Sequence, residues 1–153
     1  MINDLQALAD LASEWDALRR LQGKMQVYFT ASFARGAWFL PQVADPFYAL
    51  LLPFGFSVLE HVLSQMRDDA LFVSRSSQLG ALMSGSKLII PWADYLAIDA
   101  GREIRNKLTH EQVVPSNHTT FRLIDEIERE LIGWKVLNGP VKYEFSLTFK
   151  PDT

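Results

Sequence analysis

Near the start of the chain apolar residues return every three or four positions: Leu5, Leu8, Leu11, Ala12, Trp15 and Leu18. Asp10, Glu14 and Arg20 face away from them. That period predicts a helix with one buried face. Asn3 followed by Gln6 has the form of a capping box and sets the expected start. Gly23 offers an end. From Met25 to Phe39 the pattern is ambiguous, because Met25, Val27 and Phe29 alternate like a strand while the stretch equally continues the helix.

Asp45-Pro46 predicts a second start, since aspartate caps free amides and proline at the first position lacks one. The helix expected from Pro46 to about Gln65 is apolar almost all round until Ser57, which suits the middle of a bundle. Pro53 is expected to kink it. Between 68 and 87, Ser74, Ser76, Ser77, Gly80, Ser84 and Gly85 suggest a short helix inside a long connection. Pro91 is expected to open a helix running to about His110, with Leu96, Ala100, Ile104 and Leu108 as its buried stripe. Pro115-Ser116-Asn117 breaks the chain. A last helix then carries Phe121, Ile124, Ile127, Leu131 and Trp134 on one face. Arg122, Asp125, Glu126, Arg129 and Glu130 fall largely on the other.

After Asn138-Gly139-Pro140 the period changes. Val141, Tyr143, Phe145, Leu147 and Phe149 alternate with Lys142, Glu144, Ser146, Thr148 and Lys150, the signature of an amphipathic strand. A lone strand cannot satisfy its backbone, so it needs a partner. Segment 24–30 and the same tail in a second subunit both qualify, and an edge hairpin closing the bundle is favoured over a functional arm. The expected architecture is all-α: an up-and-down bundle of four to five helices over about 3–137. A short C-terminal β-strand or hairpin follows at about 139–150, within a single domain 1–153.

Composition narrows the function. The 153 residues are 48% hydrophobic and 22% charged, with a mean hydropathy of +0.02, which fits one globular domain. A net charge of −3 and a pI near 5.6 supply no bulk attraction to nucleic acid or anionic membrane. Positive charge must therefore be local or assembled from two subunits. Without cysteine the chain has no disulfides, no thiolate nucleophile and no cysteine-based metal site. The start Met1-Ile2-Asn3-Asp4 lacks a basic, apolar leader. The greasiest run, Pro46 to Leu59, looks too short to span a bilayer. A soluble, cytoplasmic protein with no membrane partner is the expectation.

With three histidines, and no Gly-rich phosphate loop, GxSxG elbow or HExxH, the search for chemistry reduces to Ile104-Arg105-Asn106-Lys107-Leu108-Thr109-His110. An imidazole exchanges protons near neutral pH, and a guanidinium fork suits a phosphorus centre gathering negative charge. A spacing of five sets Arg105 and His110 about 140° apart on an ideal helix. Two copies across a dimer axis would then grip one phosphate more easily than one copy. Arg102, Arg105 and Lys107 form a small basic cluster, and Arg19, Arg20 and Lys24 another. His110 could alternatively be a helix-end histidine on free carbonyls, and Arg105 could pair with Glu111 or Asp125. Trp38 and Trp92, near prolines, are candidates for base stacking or an interface.

Arg105, Asn106 and His110 match, residue by residue, the motif of the HEPN superfamily (higher eukaryotes and prokaryotes nucleotide-binding domain): an arginine, a polar residue, then a histidine after four to six positions. The helical order over 3–137 resembles that family too, whereas the tail strand does not. The resemblance implies a helical homodimer with two motifs around a shared cleft. It also implies a metal-independent endoribonuclease needing no cofactor, of the kind found as toxins held by an antitoxin protein or as phage-defence components. His110 would be general acid or base, Arg105 the transition-state donor and Asn106 an orienting group, with Arg102 and Lys107 on the RNA. An acidic residue on the second core helix is frequent in such proteins, and Glu60 falls there, with Arg102 or Arg105 as its expected partner. Other members bind a nucleotide or protein without cleaving. A helical scaffold assembled through its tail is the remaining alternative. His61 and His118 read as structural or solvated.

Overall fold

The computed structural model describes residues 1–34 and 41–141, and these form six helices with no strand among them. In chain order they are α1 (Leu5–Ala34), α2 (Pro41–Ala49), α3 (Leu51–Asp68), α4 (Leu79–Ser86), α5 (Tyr95–Glu111) and α6 (Asn117–Gly133). The segment 24–30 is helical, so it offers no strand to the tail: α1 runs through Gly23 to Ala34. The alternating residues from 142 onward lie outside the described residues, as does Trp38.

The middle of the bundle is α3, which touches α1, α4, α5 and α6. Leu51, Leu52, Phe56, Val58, Leu59, Val62, Leu63 and Met66 are all buried, as a helix apolar on nearly every side requires. Around it close Trp15 and Leu18 of α1, Leu82 and Met83 of α4, Ile98 of α5, and Leu123, Ile124, Ile127 and Leu131 of α6. Removing each such side chain from water is worth about 1.5–3 kcal/mol.

Pro53 acts more sharply than a kink. It has no amide to give the Ala49 carbonyl, and its ring crowds that turn. The chain responds by ending α2 at Ala49 and restarting at Leu51, while the Leu50 amide closes a three-residue turn on the Phe47 carbonyl, 3.3 Å away. Taken together, Val43–Asp68 is long and apolar enough to cross a membrane by length and composition. Just over half of its most apolar window, 56%, is buried inside the bundle.

Two expected caps are reassigned. Asp4, not Asn3, starts α1, its carboxylate accepting from the Gln6 and Ala7 amides at 2.9 and 3.1 Å. Asp45 lies inside α2 rather than at its start, and its carboxylate accepts from the Asn117 amide, 3.0 Å away, at the first turn of α6. Ser116 completes that N-terminus through the Thr119 amide.

Helix α5 begins four residues later than Pro91 suggested. Asp94 caps it through the Ala97 amide at 3.0 Å. The linker before it is held by α6: buried Glu130 accepts from the amides of Ala93 and Asp94, both at 2.8 Å, and Trp134 Nε1 donates to the Pro91 carbonyl. Only the second half of the expected stripe holds, with Ile104 and Leu108 packed against the core. Leu96 is 73% exposed and Ala100 is exposed, while Ile98 and Gly101 are buried. A Cβ at Gly101 would meet Leu123 Cδ2 at 2.5 Å and Phe56 Cζ at 3.1 Å, so any larger residue here would force those two buried side chains to shift. Continuing that face by seven residues brings Arg105 half into the interior.

Candidate functional site

The face that seats α5 also aims its polar side chains. Arg102, Asn106 and His110 follow one another at intervals of four and form a single ridge, while Arg105 sits one step toward the core. The ridge forms one wall of a cleft of about 410 Å³. Glu60 of α3, and Ser77, Gln78, Leu79 and Gly80 around the start of α4, form the rest of the lining together with Arg105. Five of the six residues nominated from sequence thus meet in one concavity of one chain. The sixth, Lys107, is exposed and does not line it. The angle of about 140° between Arg105 and His110 does not separate them, because Arg102 and Asn106 bridge the arc. A second copy is not needed to bring them together.

The partners expected of these groups are not the ones they have. Arg102 turns Nε to Asp99 (3.0 Å) and Nη2 to Glu103 (2.7 Å), both on its own helix. Its Nη1 lies 3.6 Å from where a Cβ on Gly80 would sit, so the bare backbone of α4 passes beside the guanidinium. Arg105 has no carboxylate within ion-pair reach among the described residues. Its Cζ stands 5.9 Å from the Phe56 ring centroid, and its Nε is shielded from water without an acceptor. Glu60, half-buried, has no cationic partner among the described residues, so the expected pair with Arg102 or Arg105 is absent. Glu111 and Asp125 do not hold Arg105 either, since Asp125 pairs with Arg19. His110 is exposed at the end of α5, just before the chain turns through a left-handed Gln112 (φ 56°). Its imidazole has no hydrogen-bond partner among the described residues.

The wall from Ser77 to Gly80 was not legible as site material. The serine-rich stretch reads as connection, although Ser76, whose hydroxyl accepts from the Gln78 amide at 3.3 Å, is the kind of residue that precedes a helix. Trp92 is no platform for a base: it stacks edge-on against Trp134 and Tyr95, at 4.7 and 5.2 Å, away from the cleft. Of the other histidines, His61 pairs with Glu14 at 2.8 Å on the surface, and His118 is exposed at the first turn of α6.

A different arginine is held in the interior by a full set of partners. Arg19, expected on a basic surface, is 4% exposed. It donates Nε to Glu128 and Nη2 to Asp125, both at 2.7 Å, and Nη1 to Gln22 at 2.9 Å. Trp15 Nε1 donates to the same Glu128 oxygen at 2.6 Å. Burial alone pulls the guanidinium's pKa down. Hydrogen bonds and attraction from Glu128 and Asp125 more than reverse that, leaving it above the ordinary arginine value.

Among the described residues no three His, Asp or Glu side chains cluster as a metal site would require. Comparison with protein-family models, with curated proteins and with solved structures gives no match to this chain.

Proposed function

We propose that the α5 cleft is the active site of a metal-independent endoribonuclease of the HEPN type. The observation that carries this reading is the convergence of Glu60, Arg102, Arg105, Asn106 and His110 on one cleft, with Arg105 lacking a counter-charge among the described residues. A cation left without an acid is a group waiting for an anion, because a partly desolvated charge is costly until it is paired. A phosphodiester is the anion whose geometry suits a guanidinium fork.

In this reading the ribose 2′-hydroxyl attacks the adjacent phosphorus. A bond forms from the 2′-oxygen to phosphorus, the bond to the 5′-oxygen breaks, and a 2′,3′-cyclic phosphate remains. His110 takes the proton of the attacking hydroxyl, and the departing 5′-oxygen gains one from solvent. Arg105 donates to the non-bridging oxygens as charge builds. Asn106 orients the phosphate, and Glu60 accepts a hydrogen bond from a ribose hydroxyl. A homodimer and an antitoxin partner belong to this reading through the family resemblance alone. Light scattering on the pure protein tests the first.

The decisive experiment is incubation of mixed RNA with the protein in EDTA, followed by analysis of product ends. Cyclic phosphate ends are expected, with loss of cutting in Arg105→Ala and His110→Ala. If both variants cut as fast as the parent, the proposal fails.

A further inference from the structure

A helix needs one apolar stripe to dock on a core, and α2 has two. Ala44 and Tyr48 face inward, Tyr48 buried and Ala44 packed against the core. Val43 and Phe47, with Leu50 just past the helix end, recur at intervals of four and three on another side. All three stay exposed, Leu50 at 61%. With Pro46, and with Tyr28 and Phe29 of α1, they line an apolar groove of about 520 Å³. The two helices meet there through Phe29 and Phe47, edge-on at 5.1 Å. A contiguous apolar surface of this kind marks a place where something docks.

The tail has the matching face. Val141, Tyr143, Phe145, Leu147 and Phe149 share one side of it, and among the described residues no strand is available to pair with it. Such a face gains by lying on another apolar surface. It already starts on the bundle, because Val141 packs against the core. Its reach fits as well. The chain leaves at the Gly133 end of α6, where the Val136 and Leu137 amides bond back to the Leu131 carbonyl. The groove is at the opposite end, where Phe29 packs on Tyr48 and Tyr48 on Phe121. From Phe121 to Gly133 the helix rises about 18 Å. Residues 142–150 extended span about 30 Å, which brings Leu147 and Phe149 to the groove.

We propose that this groove is the seat of the chain's own segment 142–150, which runs back along the bundle and places Leu147 and Phe149 against Val43, Phe47 and Leu50. Lys142, Glu144, Ser146, Thr148 and Lys150 then face water. A second copy's tail would present the same side chains. The chain's own tail is favoured because Val141 anchors it, and a short tether holds it near the groove at a concentration on the order of millimolar. The proposal is independent of the chemistry assigned to the α5 cleft.

The chain has no cysteine, so a pair of them can be introduced without background. In the full chain, Leu147→Cys is combined in turn with Val43→Cys, Phe47→Cys and Leu50→Cys. The comparison pair is Leu147→Cys with Leu88→Cys. Leu88 is 92% exposed and follows Lys87, which lies over Tyr95 at the start of α5, far from the groove. Mild oxidation followed by intact mass is expected to close an intramolecular disulfide in at least one groove pair about ten-fold faster than in the Leu88 pair. Equal rates in all four pairs overturn the proposal. So does a product of twice the mass, which would seat the tail of a second copy. A second measurement leaves the groove unaltered. Leu147→Asp/Phe149→Asp should raise fluorescence of the apolar-surface dye ANS about two-fold, and adding Leu50→Lys should remove the rise. Unchanged dye binding in the tail variant overturns the proposal too.

Discussion

Arg19 and Arg105 are both drawn beneath the surface of this bundle, in opposite electrostatic settings. Arg19, between α1 and α6, has an acceptor for each of its three nitrogens and two carboxylates to balance its charge. Arg105, on the buried flank of α5, has an aromatic ring, an unpartnered Nε and an opening into a cleft. A saturated charge has nothing left to offer a ligand and serves to fix two helices. An unsaturated one contributes little to folding and keeps its donors free. The difference lies in the neighbours, not in the residue type.

If that contrast is right, the largest effect on stability comes from the saturated member. Arg19→Ala leaves Glu128 buried with Trp15 as its remaining donor, and breaking a buried pair this way costs about 3–5 kcal/mol. Urea denaturation measures it, and a loss below about 1 kcal/mol would break the comparison. Because the Arg19 pKa is raised, its contribution is fully present below the unfolded value and fades only as pH climbs through the folded one, far above neutrality. Stability from this group should therefore be flat across the neutral range. Arg105→Ala should do the opposite: the proposed RNA cleavage should fall by about 10²–10³-fold, as deleting a transition-state donor would make it, while the unfolding free energy moves by less than about 1 kcal/mol. Gly101→Ala probes the seat that presents Arg105. Its methyl would collide with Leu123 and Phe56, and about 1–3 kcal/mol of destabilisation is expected from thermal unfolding. Smallest is Asp94→Ala, the loss of one helix cap at about 1 kcal/mol, with cleavage products unchanged in kind.

The helical class, the central greasy helix and the apolar face of α6 were legible because each depends on local period. Arg105, Asn106 and His110 were legible as a motif and Arg102 as a neighbouring cation, although the cleft they share was not. What escaped depends on contacts distant in sequence. Arg19 reads as a surface cation until Glu128, over a hundred positions away, is set beside it. Asp45 looks like the cap of its own helix, but serves α6. The first half of the α5 stripe was misread for a sharper reason. Its inner face runs Ile98, Gly101, Ile104, Arg105 and Leu108, and a glycine and an arginine are invisible to a search for greasy positions. Segment 24–30 alternates like a strand over too few residues to resist the helix already running through Gly23.

Glu130 takes both amides of the linker ahead of α5, and this has a mechanical consequence. The start of the helix is tied by these bonds and its middle seated on the core, and the residues nominated for chemistry ride toward the other end. At 1.5 Å per residue, Arg102 stands about 12 Å along this lever and His110 about 24 Å. A swing of about 5° around the anchored end would carry the imidazole about 2 Å and the Arg102 backbone about half as far. The mouth of the cleft would thus open or close at His110 while the Glu130 fulcrum held still.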